Sequence, residues 1–438
     1  MASAPPSQTR VYVHTLGCPK NEADSRAVMR SLSSAGVALV ARPEDATHIL
    51  LNTCGFIQDA KEESIGAILD ACAGYPGKSV LVMGCLVERY REELQTGIPE
   101  VSGWFGLVGG HDQAELVRAL GSGAATGRRN RGTDGPPYAY LKISDGCDEL
   151  CTFCAIPAIK GPYRSVGAAE ILREADACLA EGARELVLVG QDTAVWNDDG
   201  LDLAGLVDLL AADERARRIR VMYLQPEHVT DAFLRYMAGQ PKLCRYLDVP
   251  FQHSHPELLC AMGRGGDGNA YLELLRRARR LMPDVSVRSA FVVGFPGETE
   301  EHFEHLLGFV EEAGFDYAGG FVYSPEEGTA AAALRPRIRP AVARERLNRL
   351  NALLQERSEQ EHQRMVGAQV EVMIDSLDAE EAGEGATAVG RTAGQAPEVD
   401  GVTYVEGDLP EGTVPGDVLN VTVSVAPGHD LVGTCHAS

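Results

Sequence analysis

Short β-rich runs separated by helical patterns recur from Val11 to Val322, and this alternation constrains the fold more than any other feature. Strands joined through a helix run parallel, because the helix carries the chain back across the face of the sheet. In the first part of the chain, Val11–Thr15, His48–Thr53 (HILLNT) and Ser79–Gly84 (SVLVMG) read as strands. Glu22–Ala35, ended by Gly36, and Asp59 to about Ala73 read as helices. In the second part the strands are Tyr138–Ser144, Glu185–Val189, Ile219–Leu224, Arg245–Val249, Val285–Val293 and Tyr317–Val322. Six such β/α units favour a barrel or an open part-barrel over a small sheet. A charged helix from Pro340 to about Met365 closes this part, with the proline suited to its first turn.

The stretch Gly121 to Pro137 is rich in Gly, Pro and polar residues and reads as a linker. After Val366 the pattern shortens to alternating β-branched segments such as QVEVMID, VTYVEG and DVLNVTVSV. These predict a small all-β barrel. The chain thus divides into an N-terminal parallel α/β domain over 8–122, a (β/α)6 partial barrel over 133–365 and a β-barrel over 366–438, an α/β multidomain fold. A length of 438 residues agrees with several domains.

No apolar run reaches the roughly 18 residues needed to span a bilayer, which excludes a helical membrane protein. MASAPPSQTR has neither a basic start nor an apolar core, so it does not read as a signal peptide. Eleven cysteines in such a chain are expected as reduced thiols in a cytoplasm, available for burial, metal ligation or catalysis. A net charge of −23 disfavours direct nucleic-acid binding and suits a basic protein partner. The last segment is extreme: thirteen acids stand against one base, Arg391.

Cys147-Asp-Glu-Leu-Cys151-Thr-Phe-Cys154 follows the first strand of the expected barrel. Three thiolates on one loop can face a single centre, and soft thiolates select iron–sulfur clusters or zinc. Three ligands leave one metal position open, which structural zinc sites avoid and reactive sites need. Cys18, Cys54 and Cys85 form a second group, each just after the end of an N-terminal strand. The ends of parallel strands share one edge of the sheet, so these cysteines converge there, with Gly17, Gly55 and Gly84 allowing close backbone approach.

The Cys147–Cys154 loop, with an aromatic residue before its last cysteine, resembles the radical S-adenosylmethionine (SAM) superfamily. The resemblance implies a 4Fe–4S cluster on Cys147, Cys151 and Cys154, whose open iron binds SAM and cleaves it to a 5′-deoxyadenosyl radical. With the second triad the chain resembles the methylthiotransferase family, whose members add a TRAM domain. TLGCPKNEADS (Thr15–Ser25), NTCGFI (Asn52–Ile57), GQDT (Gly190–Thr193), LDVPFQH (Leu247–His253), FVVGFPGET (Phe291–Thr299), YSPEEGT (Tyr323–Thr329), GRTAGQAPEVDG (Gly390–Gly401) and HDLVG (His429–Gly433) carry that likeness over nearly the whole length.

Within the family, GCPKN and NTCGFI resemble the branch that modifies an aspartate of small-subunit ribosomal protein twelve. The implied reaction turns the aspartate β-carbon C–H into C–SCH3. It would use two 4Fe–4S clusters, SAM, and an electron donor such as flavodoxin or ferredoxin. Phe153, Gly190, Gln191 and Arg288 are the implied SAM contacts, with a structural ion pair an equal alternative for Arg288. Glu149-Leu150 departs from the usual basic pair, and Lys160 and Val166 stand where Arg is common. Two other readings remain: methylthiolation of a tRNA adenosine, and an iron–sulfur electron carrier without SAM chemistry. His253 and His255 fit a polar loop better than a metal site. Cys72, Cys178, Cys244, Cys260 and Cys435 share no spacing and read as ordinary thiols.

Overall fold

The computed structural model describes residues 9–109, 111–121, 135–378 and 385–435. Most of the expected linker lies outside them. The N-terminal unit is a five-stranded parallel sheet in the order β2-β1-β3-β4-β5. Its strands are β1 (Arg10–Thr15), β2 (Ala38–Leu39), β3 (His48–Thr53), β4 (Ser79–Gly84) and β5 (Gly103–Phe105). β3 and β4 are buried along nearly their whole length, which their unbroken apolar runs dictate. Helices α1 (Pro19–Ser34), α2 (Gln58–Gly74), α3 (Cys85–Gly97) and α4 (His111–Leu120) follow β1, β3, β4 and β5. α1 starts at Pro19, not Glu22, because proline at N1 has the helical φ already set and gives up no hydrogen bond.

The central unit has six parallel strands: β6 (Tyr138–Lys142), β9 (Glu185–Val189), β12 (Arg218–Val221), β13 (Tyr246–Asp248), β14 (Ser286–Val293) and β15 (Tyr317–Val322). Two short ladders, β7 (Ser144–Asp145) with β8 (Arg164–Ser165) and β10 (Asn197–Asp198) with β11 (Leu201–Asp202), lie between them. The orders β12-β9-β6 and β13-β14-β15 are joined by a parallel bridge from Ile219 to Leu243. The result is a partial barrel with its apolar core beneath the outer helices. β12 ends at Val221 instead of Leu224, because Tyr223 takes a left-handed φ of 62° that no strand accommodates.

The helix Pro340–Gln363 packs along β15 and leads into a closed five-stranded barrel. That barrel orders β16 (Gln369–Ser376), β17 (Ala388–Thr392), β18 (Thr403–Glu406), β20 (Leu431–Cys435) and β19 (Val418–Val425). Its 393–400 loop enters the floor of the partial barrel. Ala396 is fully buried among Ala23, Tyr140, Val187, Tyr246 and Tyr317. The Tyr140 hydroxyl donates to the Pro397 carbonyl at 2.7 Å, and the Tyr246 hydroxyl to Asp400 at 2.6 Å. All three units therefore meet around one interior.

Candidate active site

Cys18, Cys54 and Cys85 stand at the carboxyl ends of β1, β3 and β4, as parallel topology requires. A Cβ added to Gly17 would come 2.7 Å from Cys54 Cβ, so only glycine lets the Cys18 turn lie against Cys54. Burial pushes the Cys85 thiol up to about 12; Lys160 opposes this, and Cys54 and Cys18 add to it. Such thiols release their protons only to a strong local cation, which is what a metal centre supplies. A cavity of ≈ 210 Å³ opens beside Cys18, with Thr15, Glu22, Glu398 and Val399 in its walls.

The second triad lies at the mouth of the partial barrel. Cys147 accepts a hydrogen bond from the Glu149 N–H at 3.4 Å, and Cys151 faces Arg264 Nη1 at 3.6 Å. Burial pushes Cys154 up to about 12; a backbone N–H at Ile156 opposes the rise, while Cys151 and Cys147 reinforce it. Nearby, both amide atoms of Gln191, the Ser144 hydroxyl and the Tyr163 hydroxyl are buried without a partner among the described residues. A Cβ at Gly190 would collide with Ser144 Oγ, which accounts for glycine there. Unmet polar groups of this density are costly unless a polar ligand satisfies them.

The other expected contacts divide. Phe153, half-buried, packs against the cluster of Leu258, Met262, Phe295 and Ala331. Arg288 is taken up by two carboxylates, Asp248 at 2.9 Å and Asp400 at 3.3 Å. His253 lies in a loop, as expected, but is fully buried, 3.5 Å from Glu298. His255 gathers with Glu257 and His302 as a possible ligand group. Its Nδ1 accepts from the Glu257 N–H, and His302 Nδ1 from the Thr299 N–H, so the neutral rings carry their protons on Nε2 and offer no lone pair to a metal. Cys178 is buried and faces Arg30 Nη2 at 3.0 Å on α1.

Several functional neighbours were invisible along the chain. Asp24 of α1 pairs with Lys142, and Lys160 bridges Asp24 (3.8 Å) and Asp145 (3.0 Å), so an ion network ties the two cysteine-bearing units together. His228 Nδ1 lies 2.6 Å from Asp192, and Lys20 Nζ lies 3.4 Å from the Tyr223 ring centroid. Only the sequence position of Lys20, two residues after Cys18, hinted at its place.

A three-thiol loop at the mouth of a partial (β/α)6 barrel defines a radical SAM protein. Residues 141–310 match the model of the radical SAM superfamily. Residues 10–106 match the uncharacterized protein family UPF0004, and 366–435 match the TRAM domain. Three proteins called ribosomal protein uS12 methylthiotransferase RimO are similar throughout. Those of Anaeromyxobacter sp. (strain Fw109-5), Thermotoga maritima and Aquifex aeolicus are 42%, 41% and 41% identical over 97% of this chain and 93%, 99% and 96% of their own length. The chain belongs to this RimO family. Among solved structures, the radical SAM methyltransferase TsrM from Kitasatospora setae has a similar fold, with a TM-score of 0.52 over 74% of this chain and 77% of its own at 15% identity.

The superfamily implies a 4Fe–4S cluster and SAM. The residues present fit both: three soft thiols for iron, and the unpartnered Gln191 and Ser144 groups for a polar, zwitterionic ligand. No helix among the described residues is long and apolar enough to cross a membrane.

Proposed function

We propose that this chain methylthiolates the β-carbon of an aspartate in ribosomal protein uS12. The observation that carries this reading is a pair of three-thiol groups on two units joined through Lys160, in a chain similar over 97% of its length to uS12 methylthiotransferases. Cys147, Cys151 and Cys154 would hold one 4Fe–4S cluster, with Gln191, Gly190 and Phe153 beside its SAM. Arg288 would act through Asp248 at the floor of that site. Cys18, Cys54 and Cys85 would hold a second cluster. When bound, these groups supply the radical, the sulfur and the methyl group.

The protein contributes position and exclusion of water. The Asp24–Lys142–Lys160–Asp145 network would set the spacing between the two thiol groups, and the 393–400 loop seals the floor. The three matched regions support the division at 8–122, 133–365 and 366–438. An electron donor such as flavodoxin or ferredoxin in the cytoplasm completes the reaction.

Charge favours a protein over tRNA as substrate. The only Lys or Arg of the C-terminal barrel, Arg391, is 1% exposed and bound to Glu185 and Asp375, so it is withheld from any phosphate. An electron carrier without SAM chemistry would leave the unpartnered polar groups near Cys147 unexplained. The test is a deletion strain: methylthio-aspartate should vanish from uS12 while methylthio-adenosine persists in tRNA. The reverse pattern would sink the substrate assignment.

A further inference from the structure

Lys20 is a half-buried cation that neither cysteine group needs as a ligand. It occupies the first turn of α1, two residues beyond Cys18, yet its Nζ reaches out of the N-terminal unit to the Tyr223 ring face at 3.4 Å. Tyr223 is held at the carboxyl edge of the barrel. Its N–H donates to Asp248 Oδ2 at 2.9 Å, and its carbonyl accepts from the Thr193 N–H at 3.1 Å. Its φ of 62° is a strained conformation of the kind that persists where the surroundings enforce it. Cys18, Lys160, Asp248 and Cys85 act electrostatically on Lys20. The ammonium therefore stands beside the N-terminal cysteine group, where that unit meets the carboxyl edge of the partial barrel.

The acids nearby are spoken for. Asp248 accepts from Arg288 and from the Tyr223 N–H, while Asp24 and Asp145 each face Lys142 and Lys160. Among the described residues, no carboxylate lies within ion-pair distance of Lys20. An ammonium offered only an aromatic face keeps donors to spare, because its three N–H groups radiate beyond the ring. Such a site selects an incoming anion.

We infer that Lys20 binds the side-chain carboxylate of the target aspartate and so positions its β-carbon beside the N-terminal cysteine group, at the edge of the partial barrel. This rests on the proposed function. The carboxyl carbon of aspartate is bonded directly to the β-carbon, so gripping the carboxylate fixes the carbon that reacts. A neutral adenine ring has no charge for Lys20 to grip. An asparagine side chain has the same shape and lacks the charge, which makes it the discriminating probe.

The experiment uses the full chain with its clusters reconstituted, and two peptides carrying the uS12 target loop with Asp or Asn at the modified position. Wild type should bind the Asp peptide roughly ten- to a hundred-fold more tightly than the Asn peptide, the range of a hydrogen bond to a charged group. Lys20→Met should bring the ratio close to one, and Lys20→Arg should keep most of it. A ratio measured within one variant cancels a general loss of folded protein, and Lys20→Arg still reads the role if Lys20→Met fails to fold. Modification of the Asp peptide by wild type with the same ratio in Lys20→Met would overturn the Lys20 assignment alone. Absence of any modification by wild type, with methylthio-adenosine formed in tRNA instead, would overturn the function on which it rests and the assignment with it.

Discussion

Arg391 Nη1 lies 2.8 Å from Glu185 Oε2, joining the C-terminal barrel to the first residue of β9 inside the radical SAM barrel. Both side chains are essentially sealed from water, at 1% and 0% exposure. Glu185 also accepts from Arg220 Nε at 2.7 Å, and Arg391 Nε reaches Asp375 at 2.6 Å. The network makes the barrel an integral wall of the enzyme.

Glu185→Gln should therefore be costly. It leaves Arg220 without a carboxylate and Arg391 with Asp375 alone, and breaking a buried pair from one side costs roughly 3–5 kcal/mol. Burial alone would raise the Glu185 pKa, but Arg220, Arg391 and Arg218 hold it down at about 2. A depressed carboxylate stabilises the fold above its unfolded pKa and loses that contribution as pH falls towards 2. The variant should show a lower denaturation midpoint at pH 7 and a flatter acid limb. An unchanged midpoint would contradict the network's role.

Asp316 should behave with the opposite sign. Burial pushes its carboxyl up to about 6, against the Val287 N–H and Arg279. The folded protein then holds this proton more tightly than the unfolded chain, so stability falls as pH rises from about 4 through 6. Asp316→Asn keeps an acceptor for the Val287 N–H, given at 2.8 Å, and removes the charge. It should erase that slope and stabilise the protein at pH 7 by up to roughly 3 kcal/mol. Chemical denaturation across the pH series reads the difference.

The two thiol groups should separate under mutation. Replacing Cys147, Cys151 and Cys154 with Ala should abolish 5′-deoxyadenosine formation while leaving about half the iron, since each group would hold one cluster. Replacing Cys18, Cys54 and Cys85 should also leave about half the iron, stop methylthiolation and spare SAM cleavage. Methylthiolated product from the second variant would refute sulfur delivery by the N-terminal group. Prolonged aeration should strip iron from both sites.

The acidic barrel should act on encounter. Glu371, Asp408 and Glu411 are exposed, whereas Glu380, Glu381 and Glu384 lie outside the described residues. Each rim charge contributes about 0–1 kcal/mol alone, so all three must change to Gln or Asn together. The triple variant should slow association with uS12 at low ionic strength, and the effect should fade as salt shortens the Debye length below about 10 Å. Equal association rates at every salt concentration would contradict the docking role.

The cysteine groups were legible in the sequence because their placement needs only local rules: a strand ends, and the next residue faces the shared edge of a parallel sheet. β9 and β15 were equally plain, bounded as expected at Glu185–Val189 and Tyr317–Val322. Short β2 and β5 escaped notice, having too few residues to establish a period. α3 escaped as well, since it begins on Cys85 directly after β4 with no side-chain cap to announce it. Arg391 shows in the sequence only as the lone base of its segment, and its burial follows from docking of the barrel. Lys20 over Tyr223 and Lys160 over Asp24 are likewise products of domain assembly, which no spacing along one segment encodes.

The most direct test of the central claim is product analysis in one vessel. The reconstituted protein is incubated anaerobically with SAM, reductant, a sulfide source, uS12 and tRNA, and both macromolecules are then analysed by mass spectrometry. The predicted result is a methylthio group on a uS12 aspartate, accompanied by 5′-deoxyadenosine, with the tRNA unchanged. Unmodified uS12 beside methylthiolated adenosine in the tRNA would contradict the claim.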